Sequence, residues 1–191
     1  MIRFALCLLL AVVPLHAESG GKIVEAARKQ VGVTLSYDPA YTSLTYPNGD
    51  VPREKGVCTD VVIRALREGL SQDLQKLVHE DMKANFGAYP KNWGLRRTDR
   101  NIDHRRVPNL RKFFERKGYS IKLPASIDYS SFQPGDLVTC TVPPALPHIM
   151  IVSDKKTADG RPLVIHNIGG GAKEEDVLSI FPLTGHYRWK E

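Results

Sequence analysis

The sequence predicts an α+β fold, with helices in its first part packed on an antiparallel β-sheet formed by its second. Apolar residues recur at helical spacing only before Gly118, whereas short β-branched and apolar runs, punctuated by Pro and Gly, fill the remainder. Helices first and strands afterwards, rather than in alternation, give that class. The chain of 191 residues carries no internal repeat, low-complexity tract or dividing linker. It is long enough for one core and short for two.

The N-terminus reads as a segment to be removed. Ile2-Arg3 is a short positive region, residues 4–15 are an apolar run, and Leu15-His16-Ala17 ends on a small residue, which is the pattern of a secretory signal peptide. A membrane-spanning helix needs about 20 apolar residues, and this run stops well short of that. Residues 1–17 are therefore expected to be a cleaved leader, and residues 18–191 a single periplasmic domain. Losing Arg3 from 27 basic side chains leaves a net charge of +5 against 21 acidic ones. That balance suits an anionic partner, and export makes nucleic acid the weakest candidate. A merely solvated basic face would account for it equally well. The domain is expected to be a monomer with no integral membrane segment and no cofactor.

Ile23, Ala26, Ala27 and Val31 mark a first helix ending near Gly32. Residues 34–56 then change to Tyr, Pro, Asp, Ser and Gly, with turn signals at Asp38-Pro39, Pro47-Asn48-Gly49-Asp50 and Val51-Pro52. Tyr37, Tyr41 and Tyr46 argue against disorder in this long irregular segment, which leads straight to Cys58. A second helix begins at Cys58. A third spans 71 or 72 to 86, with Ser71 as its cap and Leu74, Leu77, Val78 and Met82 inward. His79, beside Glu80 and Asp81, reads as a surface or locally paired histidine. Pro108 opens a fourth helix that carries Leu110, Phe113 and Phe114 to Gly118. Strands are expected over residues 120–123, 136–142, 148–153, 163–166, 177–180 and 186–189.

Two cysteines, Cys58 and Cys140, survive removal of the leader, and in an oxidising compartment they could form one disulfide. The alternative is chemical. At a helix start, unsatisfied backbone N–H groups favour a thiolate and can hold an oxyanion. A nucleophilic thiol needs a base, and the base needs a partner on its other ring nitrogen. His148 opens the run Ile149-Met150-Ile151-Val152 and His166 closes Leu163-Val164-Ile165, so neighbouring strands could bring both to one side of the sheet. Cys140, on a strand with Val138 and Val142, reads as a buried core thiol. In the cluster Asp103-His104-Arg105-Arg106, the guanidinium groups could grip substrate carboxylates or pair internally to stitch the loop down.

The order of Cys58 at a helix start, Gln133-Pro134-Gly135-Asp136-Leu137-Val138, His148 before Ile149-Met150-Ile151-Val152, and Ile165-His166 resembles the NlpC-type cell-wall peptidases of the papain-like superfamily. Within it, Gly56-Val57-Cys58-Thr59-Asp60-Val61-Val62, Asn101-Ile102-Asp103-His104-Arg105-Arg106-Val107 and His166-Asn167-Ile168-Gly169 resemble an exported bacterial family termed YijF-like. The resemblance covers nearly all of the mature chain. It implies a papain-like (NlpC-type) fold, Cys58 as nucleophile, His148 as base, His166 as the residue orienting it, and peptidoglycan stem peptides as substrate. Tyr46, Asp60, Asp103, His104, Arg105 and Asn167 form the candidate substrate-binding set. The common NlpC-type pattern has Asp before the nucleophile and Ser-Gly after it, whereas Val57, Thr59 and Asp60 stand in this chain. The rival reading is a non-catalytic wall-binding or envelope-assembly protein of the same fold with its cysteines joined. Metal chemistry lacks a His-x-x-x-His or Cys-x-x-Cys pair, and serine chemistry lacks a Gly-x-Ser-x-Gly elbow.

Overall fold

The computed structural model describes residues 15–123 and 128–190, with side chains from Glu18 onward. The expected leader lies outside the described residues as far as residue 14. Four α-helices are formed: α1 (Leu15–Arg28), α2 (Cys58–Leu70), α3 (Leu74–Ala84) and α4 (Val107–Arg116). Among the described residues, no helix is long and apolar enough to cross a membrane. Two short strands, β1 (Ser36–Tyr37) and β2 (Lys55–Gly56), pair in parallel just ahead of α2. The main sheet is antiparallel and contains β3 (Ser120–Ile121), β4 (Leu137–Val142), β5 (Leu146–Lys156), β6 (Pro162–Asn167), β7 (Ala172–Glu175) and β8 (Leu183–Tyr187). Its spatial order is β3-β8-β4-β5-β6-β7.

Strand alternation divides the core into two layers. Ile149 and Ile151 of β5, with Ile165 of β6, face α1 and α2 and pack with Ile23, Val61 and Leu66. Met150, Val152 and Val164 project to the other face, where Phe132, Val138, Cys140 and Leu178 join them. Burying each such side chain contributes roughly 1.5–3 kcal/mol.

The structure moves several expected boundaries. α1 ends at Arg28, and Val31, past its end in a run of tight turns, is 40% exposed rather than inward. Ser71 does not cap α3; it takes a left-handed conformation (φ 57°) that closes α2, its N–H donating to Arg67 O. The cap is Asp73, whose side chain accepts from the Gln75 N–H. Residues 177–180 form no strand, and the fifth strand expected there is instead β7, a charged edge returning antiparallel beside β6. The apolar signal that suggested a strand at 177–180 comes from Leu178, which plugs the second core layer.

The long segment 34–56 is irregular, as expected, and α2 organises it from beneath. The Arg64 guanidinium, wholly buried, donates to both Asp50 carboxylate oxygens and to the carbonyls of Val51 and Lys55. A buried charge is tolerated only when paired and hydrogen-bonded in this way.

Candidate active site

Cys58 is the first residue of α2, and Val57 before it is extended (φ −111°, ψ −178°). The start of the helix is closed by Asp60, whose Oδ2 accepts from the Val57 N–H at 2.6 Å. The same carboxylate accepts from Arg105 Nε and Nη2, both at 2.9 Å, and this bidentate pair is almost fully buried. Arg105 donates further to the carbonyls of Ala40 and Asp38. From the opposite side, Asn167 Nδ2 donates to Gly56 O at 3.0 Å and Ser36 O at 3.1 Å. The backbone before Cys58 is thereby held between an ion pair and the end of β6.

Cys58 is 3% exposed, and the backbone amides of Ile149 and Thr59 near its sulfur favour the thiolate. Val152 N–H and C=O both bond on the β4 side of β5, so by alternation the Ile149 N–H faces the β6 side. Sγ lies near that donor, beyond the last adjoining β5–β6 pair, Ile151–Ile165. The thiol thus meets β5 one residue from His148. Among the described residues, none of the hydrogen bonds made by either side chain joins the two. The Tyr37 phenol lies beside the thiol, and burial together with that neighbour pushes it up to about 12.

His148 begins a relay. Its Nε2 lies 2.8 Å from His166 Nδ1, and His166 Nε2 lies 2.9 Å from Glu175 Oε1 on β7. The two imidazoles meet edge to face, centroids 5.0 Å apart. With Nε2 engaged, Nδ1 of His148 is the nitrogen left for proton exchange. Burial, with His166 alongside, pushes His148 down to about 3. The helix start was expected to favour the thiolate. Burial instead pushes the Cys58 thiol up to about 12; the Ile149 and Thr59 amides pull against it and the Asp60 carboxylate adds to the rise. Desolvation outweighs the helix dipole here. Both partners are therefore neutral at ordinary pH.

Of the residues expected to contact substrate, only Arg105 lines the cavity of about 180 Å³ in front of Cys58, and its donors are spent on Asp60 and on backbone. Asp60 and Asn167 position the backbone around Cys58. Asp103 and His104 are buried: Asp103 Oδ2 accepts from the Asp99 N–H, while burial pushes Asp103 up to about 6 and His104 down to about 3. Tyr46 lies away from this cavity against His79, ring centroids 5.3 Å apart. Tyr37, Trp93 and Arg106 do line the cavity; Arg106 belongs to the arginine cluster noted in the sequence, whereas Tyr37 and Trp93 stand in segments whose lack of periodicity gave no sign of a site role. Glu175 was hidden by the misplaced fifth strand. Cys58 and Cys140 are both free and buried, and no group of His, Cys, Asp and Glu side chains among the described residues could hold a metal ion.

Helices packed on an antiparallel sheet, with a cysteine heading one helix and a histidine opening a strand, give the α+β fold expected from the sequence, and solved structures share it. An N-acetylmuramoyl-L-alanine amidase from Bacteroides uniformis ATCC 8492 shares the fold at a TM-score of 0.50 and 14% identity, over 90% of this chain and 99% of that one. NlpC1 from Trichomonas vaginalis gives a TM-score of 0.47 at 15% identity, over 92% of this chain and 46% of that one. The chain thus spans about half the length of NlpC1. By sequence, the chain belongs to the family described as Domain of unknown function (DUF1287), whose model matches residues 24–189. The uncharacterized protein YijF of Escherichia coli (strain K12) is 56% identical over 178 residues, 93% of this chain and 85% of that protein.

Proposed function

We propose that this chain is a periplasmic cysteine amidase or endopeptidase that hydrolyses amide bonds in peptidoglycan stem peptides, exported by a leader at residues 1–17. One observation carries the reading: a buried helix-start cysteine packed against Ile149, the residue after the imidazole that heads the His148–His166–Glu175 relay. The fold shared with an N-acetylmuramoyl-L-alanine amidase supports the wall as target.

Because thiol and imidazole are both neutral at rest, the thiol proton passes to His148 Nδ1 as sulfur bonds to the carbonyl carbon. The carbonyl electrons move to oxygen, and backbone amides at the start of α2 hold the oxyanion. On collapse the C–N bond breaks and the imidazolium protonates the leaving amine. Water, deprotonated by His148, then cleaves the thioester to a carboxylic acid and the free thiol. His166 and Glu175 orient the ring and stabilise its positive charge.

Digestion of purified wall with the mature chain tests this. New amines released by the native chain and absent with Cys58→Ala are expected; equal product from both overturns the reading. The non-catalytic alternative required joined cysteines, whereas both thiols are free in the structure. Alkylation in denaturant without reductant is expected to label both, and no labelling before reduction restores that alternative.

A further inference from the structure

Two adjacent arginines line the cavity in front of Cys58, and their surroundings give them opposite capacities. Arg105 makes four hydrogen bonds with its five N–H groups, two to Asp60 and two to backbone carbonyls. The Arg106 guanidinium makes no hydrogen bond to any described residue. It lies 4.1 Å over the Trp93 ring, and its side chain is 17% exposed. Nη1 is buried with no hydrogen-bond partner, and Asp103 Oδ1, at 3.7 Å, is close enough to attract it but too far to bond. Buried donors left unused in a folded protein call for an explanation.

We infer that Arg106 is the specificity-determining residue of the cleft, and that it binds a free carboxylate on the peptide within about one residue of the scissile carbonyl. Three features point to that ligand. A guanidinium presents a planar fork of donors that matches a carboxylate in bidentate geometry. Stacking on Trp93 fixes the plane of the fork while leaving its N–H edge unused. The rest of the wall near Cys58 is largely apolar, with Pro39, Val57, Val107 and Pro147, so the ion pair would form with little competing water. Cys58 and Arg106 line one cavity of about 180 Å³, which keeps the carboxylate close to the attacked carbon. This assignment rests on the hydrolase reading for where the peptide lies.

The test is a binding measurement that needs no turnover. In the Cys58→Ala chain, titration calorimetry compares a stem tripeptide carrying its free α-carboxylate with the same peptide as the carboxamide. The free acid is expected to bind about ten- to a hundredfold more tightly, the range of one charge-assisted bidentate contact. Arg106→Gln should collapse that ratio to about one while the carboxamide binds as before. Arg106→Lys, which keeps the charge but loses the fork, should fall between. An unchanged ratio in Arg106→Gln, or no binding of either peptide, overturns the assignment. If the ratio behaves as expected but the Cys58-intact chain cuts nothing, the hydrolase reading fails and the carboxylate site stands.

Discussion

The sheet carries two buried histidine arrangements that share residue types and differ in what closes them. At β8, His186 Nε2 donates to Asp136 Oδ2 at 2.7 Å, both side chains are wholly buried, and Phe132 stacks on the imidazole at 4.6 Å. Arg188 grips the same carboxylate with Nε and Nη2, both at 2.8 Å, and the Gln133 N–H donates to it as well. At β5 and β6, by contrast, His148 is held by a second imidazole, and the acid ending that chain, Glu175, is 35% exposed. The first arrangement is wholly buried, with the His186 Nδ1 enclosed and unpaired; the second runs through two imidazoles to a carboxylate at the sheet edge. A histidine–carboxylate contact alone does not mark a chemical site. What separates the two is access: one carboxylate is sealed in the core and the other is 35% exposed at the β7 edge.

That contrast can be broken by paired substitutions. His148→Ala should lower kcat/KM by about ten-thousandfold while leaving the melting temperature within a few degrees of the native chain. Asp136→Ala should do the reverse: it strands buried His186 and Arg188, costs about 3–5 kcal/mol of stability, and leaves the kcat/KM of the folded fraction intact. Loss of activity without loss of stability in Asp136→Ala would merge the two arrangements. A smaller effect is expected at the exposed end of the relay, where Glu175→Gln should cost about tenfold in kcat with KM preserved.

Acid should separate the two arrangements by pH window. His148 is pushed from its ordinary 6.5 down to about 3, so the unfolded chain binds the extra proton between those values. Its contribution to stability is present above about pH 6.5 and is lost as pH falls toward 3. Burial pushes Asp136 up, but hydrogen bonds from Arg188 and His186 hold it below its ordinary 3.8, so its contribution is lost only at more acid pH. Urea unfolding at neutral, mildly acid and strongly acid pH should show His148→Gln reducing the slope of the upper limb, to which His104 also contributes, and leaving the lower limb unchanged. A flattened lower limb in that variant would contradict the assignment.

Much of this was legible in the sequence, because helical spacing reports burial directly. Leu74, Val78 and Met82, and likewise Leu110, Phe113 and Phe114, are buried where periodicity places them. The helix start at Cys58 and the strand run after His148 were readable for the same reason. The details of the site were not, since they depend on partners far away in the chain. Arg105 and Arg106 are chemically identical neighbours, and only Asp60, 45 residues from Arg105, decides which of them is consumed. Ala172–Glu175 has the composition of a loop and becomes a strand because β6 offers it an edge. Desolvation of the thiol likewise depends on the whole core around it.

The mooring of the Cys58 loop has a temporal consequence. Asn167 reaches back 111 residues to the carbonyl of Gly56, and Ala172 N–H donates to Thr34 O at 2.8 Å, where Gly171 (φ +84°) permits a backbone approach that a Cβ would block. Because synthesis runs from the N-terminus, these two moorings of the segment before α2 form only after β6 and β7 have been made, whereas the Asp60–Arg105 pair is available earlier.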